Sequence, residues 1–287
     1  MASDMYSAVW VSHSSISDFV KCPRCYFLKN VYKDPKTGHK IAITGPALAL
    51  GQAVHQVVES LSILPTETRF KESLLALYER AWQKVTGKRG GFLNDEQEAL
   101  YRLRGEGMLR RVQQNPGPLQ RQAVKIKMEL PHYWLSEAEG IILCGKIDWL
   151  EWLPELKSVN ILDFKTGKVD EDPHSLQLPI YHLLVANCQK WPVFRAYYWY
   201  LERDIELTER ELPSLSEAYD KVLTIAKQVK LARKLELYKC SQGGCSSCKP
   251  FEAVLRGEGE RVGVDEINRD IYFLPPSMKQ EPESMIL

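Results

Sequence analysis

Two apolar stretches, residues 141–153 and 160–166, limit what this chain can fold into, because each carries an acid where an apolar side chain would pack better. Both read as β-strands, and the polar 154–158 stretch between them has the length of a hairpin connection. Asp148 interrupts Ile147 and Trp149, and Asp163 interrupts Leu162 and Phe164. Side chains at i and i+2 of a strand share a face, so Asp163 and Lys165 project together and Phe164 projects away. If the two strands pair, Asp148 lies beside Asp163. Two carboxylates and an ammonium then share one patch of a largely buried sheet. Burying such charges is costly unless they pair or bind a cation. A single Asp-x-Lys reads as a structural ion pair of Lys165 with either Asp, so the surroundings decide whether this patch is a site.

At 287 residues with 44% hydrophobic content, the chain is long enough for one large domain or two small ones. The segments read as an N-terminal helix (1–45), a helical region (46–120), a core (121–237), a cysteine-bearing segment (238–258) and a loosely held tail (259–287). The net charge of +1 excludes a global basic field, so any nucleic-acid contact rests on local Lys and Arg. No basic stretch followed by an apolar core opens the chain, and no apolar run is long enough for a membrane span. The expectation is therefore no signal peptide and no membrane partner. Seven cysteines, five of them in close clusters, fit metal binding in a reducing cytoplasm better than disulfides.

In chain order, residues 14–32 predict an amphipathic helix, with Ser15 and Asp18 resembling a capping box. It delivers Cys22-Pro23-Arg24-Cys25, where Pro23 argues for a break or a new helical start. A second helix runs over 46–61. On it Gly51 and His55 share a face, with Glu59 one turn further on the same side. His55 alone reads as an ordinary helix residue, but a glycine one turn earlier suits close approach to other backbone. Helices are expected over 67–86 and 94–114, the latter carrying Arg102, Arg104, Arg110 and Arg111, which face either solvent or phosphate. Residues 124–130 alternate with a period of two and predict a half-buried strand with Glu129 on its polar face. A helix starting at 173–175, capped by Ser175, places Gln177 and Tyr181 on one face. Residues 194–202 predict an aromatic strand beside the hairpin, and 213–237 a long helix with a basic second half. Last comes Cys240-x4-Cys245-x2-Cys248, where Gly243-Gly244 permits the sharp turn that chelation needs. Cys144 and Cys188 lie in apolar segments and read as core residues.

Taken together, Gly51-x-x-x-His55, Gly-Lys-Ile-Asp148, Asp163-Phe-Lys165-Thr-Gly and Gln177-x-x-x-Tyr181 resemble the ordered motifs of RecB-type nucleases of the PD-(D/E)XK superfamily. Cys-Pro-Arg near the start and three cysteines near the end resemble its iron–sulfur branch, which includes AddB nuclease domains and CRISPR-associated exonucleases. The resemblance spans roughly residues 14–250. It implies an α/β fold with a mixed central sheet flanked by helices, a restriction-endonuclease-like core, and a cysteine cluster joining the chain ends. It also implies that His55, Asp148, Asp163 and the Phe164 carbonyl hold a divalent ion. Lys165 would then orient or activate the attacking water, with Gln177 and Tyr181 steadying the site and the DNA backbone. Cys22, Cys240, Cys245 and Cys248 would ligate a [4Fe–4S] cluster. Two positions depart from the pattern: Ile147 replaces the motif proline, and the C-x4-C-x2-C spacing differs from that of the iron–sulfur members. A Zn²⁺ site built from the Cys22/Cys25 and Cys245/Cys248 knuckles is the alternative.

Phosphodiester hydrolysis calls for these residue types in any case. A cation must neutralise charge building on the phosphate oxygens, and a water must become nucleophilic near neutral pH. Hard carboxylate ligands suit Mg²⁺ or Mn²⁺, and one His favours tolerance of Mn²⁺. Lys165 beside a metal is expected to have a lowered pKa. The expected function is a metal-dependent DNA exonuclease acting on ends or single strands, in repair, recombination or CRISPR adaptation, with a helicase or CRISPR-adaptation protein as partner. The rival readings are a DNA-binding scaffold subunit that uses a nuclease fold for docking, and a zinc-stabilised interaction module.

Overall fold

The computed structural model describes residues 4–275. The strands are β1 (Val9–Val11), β2 (Lys40–Ile43), β3 (His132–Ser136), β4 (Ile141–Cys144), β5 (Trp149–Leu153), β6 (Ser158–Lys165), β7 (Val193–Tyr200), β8 (Thr208–Arg210), β9 (Glu260–Val264) and β10 (Arg269–Phe273). The helices are α1 (His13–Lys21), α2 (Pro23–Tyr26), α3 (Pro46–Ser60), α4 (Leu74–Trp82), α5 (Asp95–Gln114), α6 (Gln177–Cys188), α7 (Leu215–Leu235) and α8 (Lys249–Leu255). The fold is α/β, but the strands form three mixed sheets where one central sheet was expected. Their orders are β5-β6-β7-β8, β1-β4-β3 and β2-β10-β9.

The β5-β6-β7-β8 sheet carries the acids. β5 and β6 pair antiparallel with Trp149 opposite Leu162, and β6 and β7 pair parallel across the α6 crossover. Alternation along β6 sorts its two faces. Val159 and Ile161 pack with α6, α7 and the β1-β4-β3 sheet. Leu162 and Phe164 pack with Trp149 and Trp199 against α3, α4 and α5. Asp163 and Lys165 fall on the Ile161 side, where α6 begins. A third cluster gathers Cys22, Cys25, Leu28, Ile41, Cys248, Phe251 and Val254.

Several expected elements differ. The 141–153 stretch is two strands in two sheets. Gly145 sits where the chain passes beneath α6, and a Cβ there would stand 3.0 Å from Leu184 Cδ1. The 124–130 strand does not form. Ala123 bridges Glu151 and the Val124 N–H donates to the Leu150 carbonyl, but pairing along the β5 edge stops there. The 14–32 helix breaks at Cys22. Its cap is Ser12, reciprocated by Ser15, while Asp18 pairs with Lys29 at 2.6 Å. Ser175 does not cap α6 in the expected frame: the cap position is Leu176, and Ser175 Oγ accepts from the Gln177 N–H. Of the four arginines of α5, Arg102 and Arg110 lie on a solvated face, 41% and 51% exposed, and all four have protein partners. Arg102 pairs with Glu79, Arg104 with Glu202 and Arg110 with Glu106, and Arg111 donates to the Leu201 carbonyl.

The largest correction concerns the tail. Residues 260–273 form β9 and β10, joined by a turn in which Asn268 takes φ 60°. β10 pairs parallel with β2, and the fully buried Asp270 is held by Arg261, Thr37 and His39. The rest of the expected tail, 276–287, lies outside the described residues. Among the described residues, no helix is long and apolar enough to cross a membrane.

Candidate active site and sulfur cage

α3 lies against the C-terminal end of β6. Its Gly51 is what permits the approach, since a Cβ there would meet Thr166 Oγ1 at 3.3 Å. One turn on, His55 Nδ1 lies 3.3 Å from Glu59 Oε1 and 3.4 Å from Asp148 Oδ2. Asp148, just ahead of β5, accepts the Phe164 N–H at 2.9 Å, which fastens it across the hairpin beside Asp163. One ligand atom from each of His55, Glu59 and Asp148 lies within 4.8 Å of the others. Asp163 stands outside that trio but lines the same open cleft, with Phe164, Lys165, Glu171 and Gln177.

Gln177, the first residue of α6, ties the other side together. Its Nε2 donates to Asp163 Oδ1 at 2.6 Å and to Tyr181 Oη at 3.2 Å, and its Oε1 accepts from Lys165 Nζ at 2.5 Å. Lys165 Nζ also lies 2.8 Å from Asp163 Oδ2 and 3.0 Å from Glu171 Oε2, and 4.7 Å from the Tyr198 ring centre. The buried Asp163 Oδ2 is thus met by an ion pair and by no further side chain.

The electrostatics follow from burial and crowding. Burial, then the Asp163 charge, push the Asp148 carboxyl up to about 7. Burial also raises Asp163, with Lys165 opposing. Burial works against charge on His55, yet Asp148 and Glu59 outweigh it and raise the imidazole to about 9. Burial disfavours the charge on Lys165, but Asp163 and Glu171 more than compensate and hold it above its ordinary value. Two buried carboxyls, both pushed up by burial, beside a histidine and a further glutamate form a donor set that a divalent cation would satisfy.

The structure brings His55, Asp148, Asp163, Phe164, Lys165, Gln177 and Tyr181 into one neighbourhood, with Phe164 contributing its N–H to Asp148. Sequence reasoning missed Glu171, which lies outside any regular element, and left Glu59 out of the site. The signal for Glu59 was its place one turn beyond His55.

At the C-terminal end of α1, Cys22, Cys240, Cys245 and Cys248 bring their Sγ atoms within 4.8 Å of one another, with Cys245 and Cys248 3.7 Å apart. Cys25 is buried nearby but is not among the four, and its N–H donates to Cys22 Sγ. Backbone N–H groups of Cys248 and Ser247 pull the Cys245 thiol down to about 6, whereas burial pushes Cys22 up to about 12. A tetrahedral ion with metal–sulfur bonds of about 2.3 Å places its sulfurs about 3.8 Å apart. The Cys245–Cys248 pair stands at that single-ion spacing.

A family model described as the PD-(D/E)XK nuclease superfamily matches residues 10–252. A solved structure from Eubacterium rectale, given a provisional description as an exonuclease, is similar with a TM-score of 0.50 at 15% identity. The match covers 84% of this chain and 87% of that one and is a likeness of fold. No curated protein matches the chain.

Proposed function

Because the chain belongs to the PD-(D/E)XK nuclease superfamily, we propose that it hydrolyses DNA phosphodiester bonds with Mg²⁺ or Mn²⁺, as an exonuclease on ends or single strands. The observation that carries this reading is the convergence of His55, Glu59 and Asp148 within ligand distance of one another, in a cleft that Asp163 and Lys165 also line. His55, Asp148 and Asp163, joined by Glu59, would hold the cation. When bound, the cation supplies charge against the phosphate oxygens and a water that is nucleophilic near neutral pH. Lys165 places its ammonium at the mouth of the acid cluster, where it orients a water or phosphate oxygen. Gln177 fixes both Asp163 and Lys165, and Tyr181 fixes Gln177.

End-labelled single- and double-stranded DNA, incubated with and without Mn²⁺, tests the reading. Asp148→Ala and Asp163→Ala are expected to abolish cleavage while the protein stays folded. Lys165→Ala is expected to lower the rate by about 100-fold or more. Full activity in either aspartate variant removes the site from consideration, and an unaltered rate in the lysine variant returns Lys165 to a structural ion pair.

For the cage we propose a thiolate-bound metal centre on Cys22, Cys240, Cys245 and Cys248. The resemblance to iron–sulfur nucleases supports a [4Fe–4S] cluster, and the sulfur spacing supports Zn²⁺. Iron and zinc analysis of protein purified without oxygen, with its visible spectrum, separates them. Brown, air-bleached protein means iron–sulfur; colourless, zinc-containing, active protein means zinc.

A further inference from the structure

We infer that Glu171 is a gate on Lys165: its carboxylate occupies the place beside the ammonium that a DNA phosphate takes, and turns away when the strand enters. The inference rests on the reading above that Lys165 faces the phosphate.

An ammonium has three protons to give. Lys165 Nζ has three oxygens within 3.0 Å, one each from Gln177, Asp163 and Glu171, and the Tyr198 ring lies 4.7 Å away. Only the Gln177 contact is a hydrogen bond; Asp163 and Glu171 meet the ammonium as ion pairs, and a phosphate oxygen that approaches it needs a place that one of the three now fills. Asp163 is not free to do so. Its side chain is 2% exposed, it stands on β6, and Gln177 Nε2 holds its other oxygen at 2.6 Å. Gln177 is fixed in turn by Asp163 and by the Tyr181 hydroxyl.

Glu171 differs in its exposure and in its place in the chain. Its side chain is 27% exposed, and it sits in the irregular connection between β6 and α6. Its backbone is nonetheless anchored: the Glu171 N–H donates to Tyr200 Oη at 3.1 Å, and the neighbouring Asp170 pairs with Arg203. The loop can therefore stay in place while the side chain alone rotates towards solvent. The arrangement has a physical use. Without substrate, a largely buried ammonium needs carboxylate partners. With substrate, the phosphate supplies the same charge at the same place, and Glu171 would otherwise repel it. The cost of displacing Glu171 is then a tax on binding, levied through Lys165.

Equilibrium binding of a fluorescein-labelled single-stranded DNA, with Ca²⁺ replacing Mg²⁺ to hold the strand uncleaved, tests the gate. Glu171→Gln is expected to lower Kd about five-fold, the size of coupling found between contacting groups. The gain should vanish when Lys165→Met is also present, because nothing is then left to compete for. In steady-state cleavage with Mg²⁺, Glu171→Gln should lower KM with kcat little changed. Equal tightening with and without Lys165 would show a plain loss of negative charge and would overturn the gate. So would an unchanged or weaker Kd in the single variant. If Lys165→Met alone leaves both binding and cleavage unaltered, the reading of Lys165 fails instead, which separates the two ideas.

Discussion

His13 opens α1, and its Nε2 lies 3.2 Å from Ser17 Oγ. Burial, reinforced by the Lys165 charge, pushes its imidazole down to about 4. A group whose folded pKa is depressed contributes stability that is fully present above its unfolded value, about 6.5, and is lost as pH falls through the folded one. Melting temperatures taken from pH 7 down to pH 4 should therefore fall more steeply in the wild type than in His13→Gln. Parallel curves would show that His13 is well solvated. The same residue marks a limit of sequence reading. Asp148, Asp163, Lys165, Gln177 and Tyr181 were legible because strand and helix periods decide which side chains share a face. Glu59 was half legible by the same rule. His13 and Glu171 were not, because one begins a helix from a distant segment and the other lies in an irregular loop. No local period links either to Lys165.

Among the elements, α3 matters most, because it carries His55 and Glu59 and must sit close to the end of β6. Gly51→Ala separates stability from function there. Alanine is favoured over glycine inside a helix by up to about 1 kcal/mol, so melting temperature should hold or rise. The new methyl, 3.3 Å from Thr166 Oγ1, pushes helix and strand end apart by a few tenths of an ångström. Because catalytic geometry is far less tolerant than folding, cleavage should slow about three- to ten-fold in a steady-state assay. An unchanged rate would mean that α3 does not set the geometry of the site. Element reading failed where tertiary context replaced local pattern. Residues 141–153 look like one apolar strand, but the change of sheet at Gly145 is dictated by α6 above it. Residues 124–130 alternate like a strand, yet only Val124 bonds to the β5 edge. β9 and β10 were overlooked because their burial depends on β2, more than two hundred residues earlier.

Across the whole molecule, the sulfur cage draws one ligand from the start of the chain and three from near its end. A metal there closes a loop of more than two hundred residues, worth roughly 5 kcal/mol by analogy with a disulfide of similar span. Binding energy at such a site is also folding energy. Cys245→Ala and Cys248→Ala should therefore give poorly soluble, metal-poor protein with low activity, although both lie in the cluster around Ile41 and Phe251 and not in the acid cleft. Cys22→Ala should do the same, and Cys25→Ala much less, because Cys25 is outside the four-sulfur set. Equal damage from the Cys22 and Cys25 changes, read by metal content and melting temperature, would restore the paired-knuckle arrangement. α1 makes this coupling specific. It runs from His13, whose charge environment includes Lys165, to Lys21, and Cys22 is its C-terminal cap.

Strand β2 pairs, among the described residues, with β10 alone. During synthesis the ribosome must therefore release residues 40–43 long before 269–273 exist to receive them, and Cys22 likewise waits for Cys240, Cys245 and Cys248. A nascent chain already holds the whole acid cluster once Gln177 has emerged, but it lacks the clasp that seats α1 beside it. Prematurely terminated chains would thus present the aspartates without the framework that holds α1, so the proposed nuclease activity is expected only once translation has passed β10.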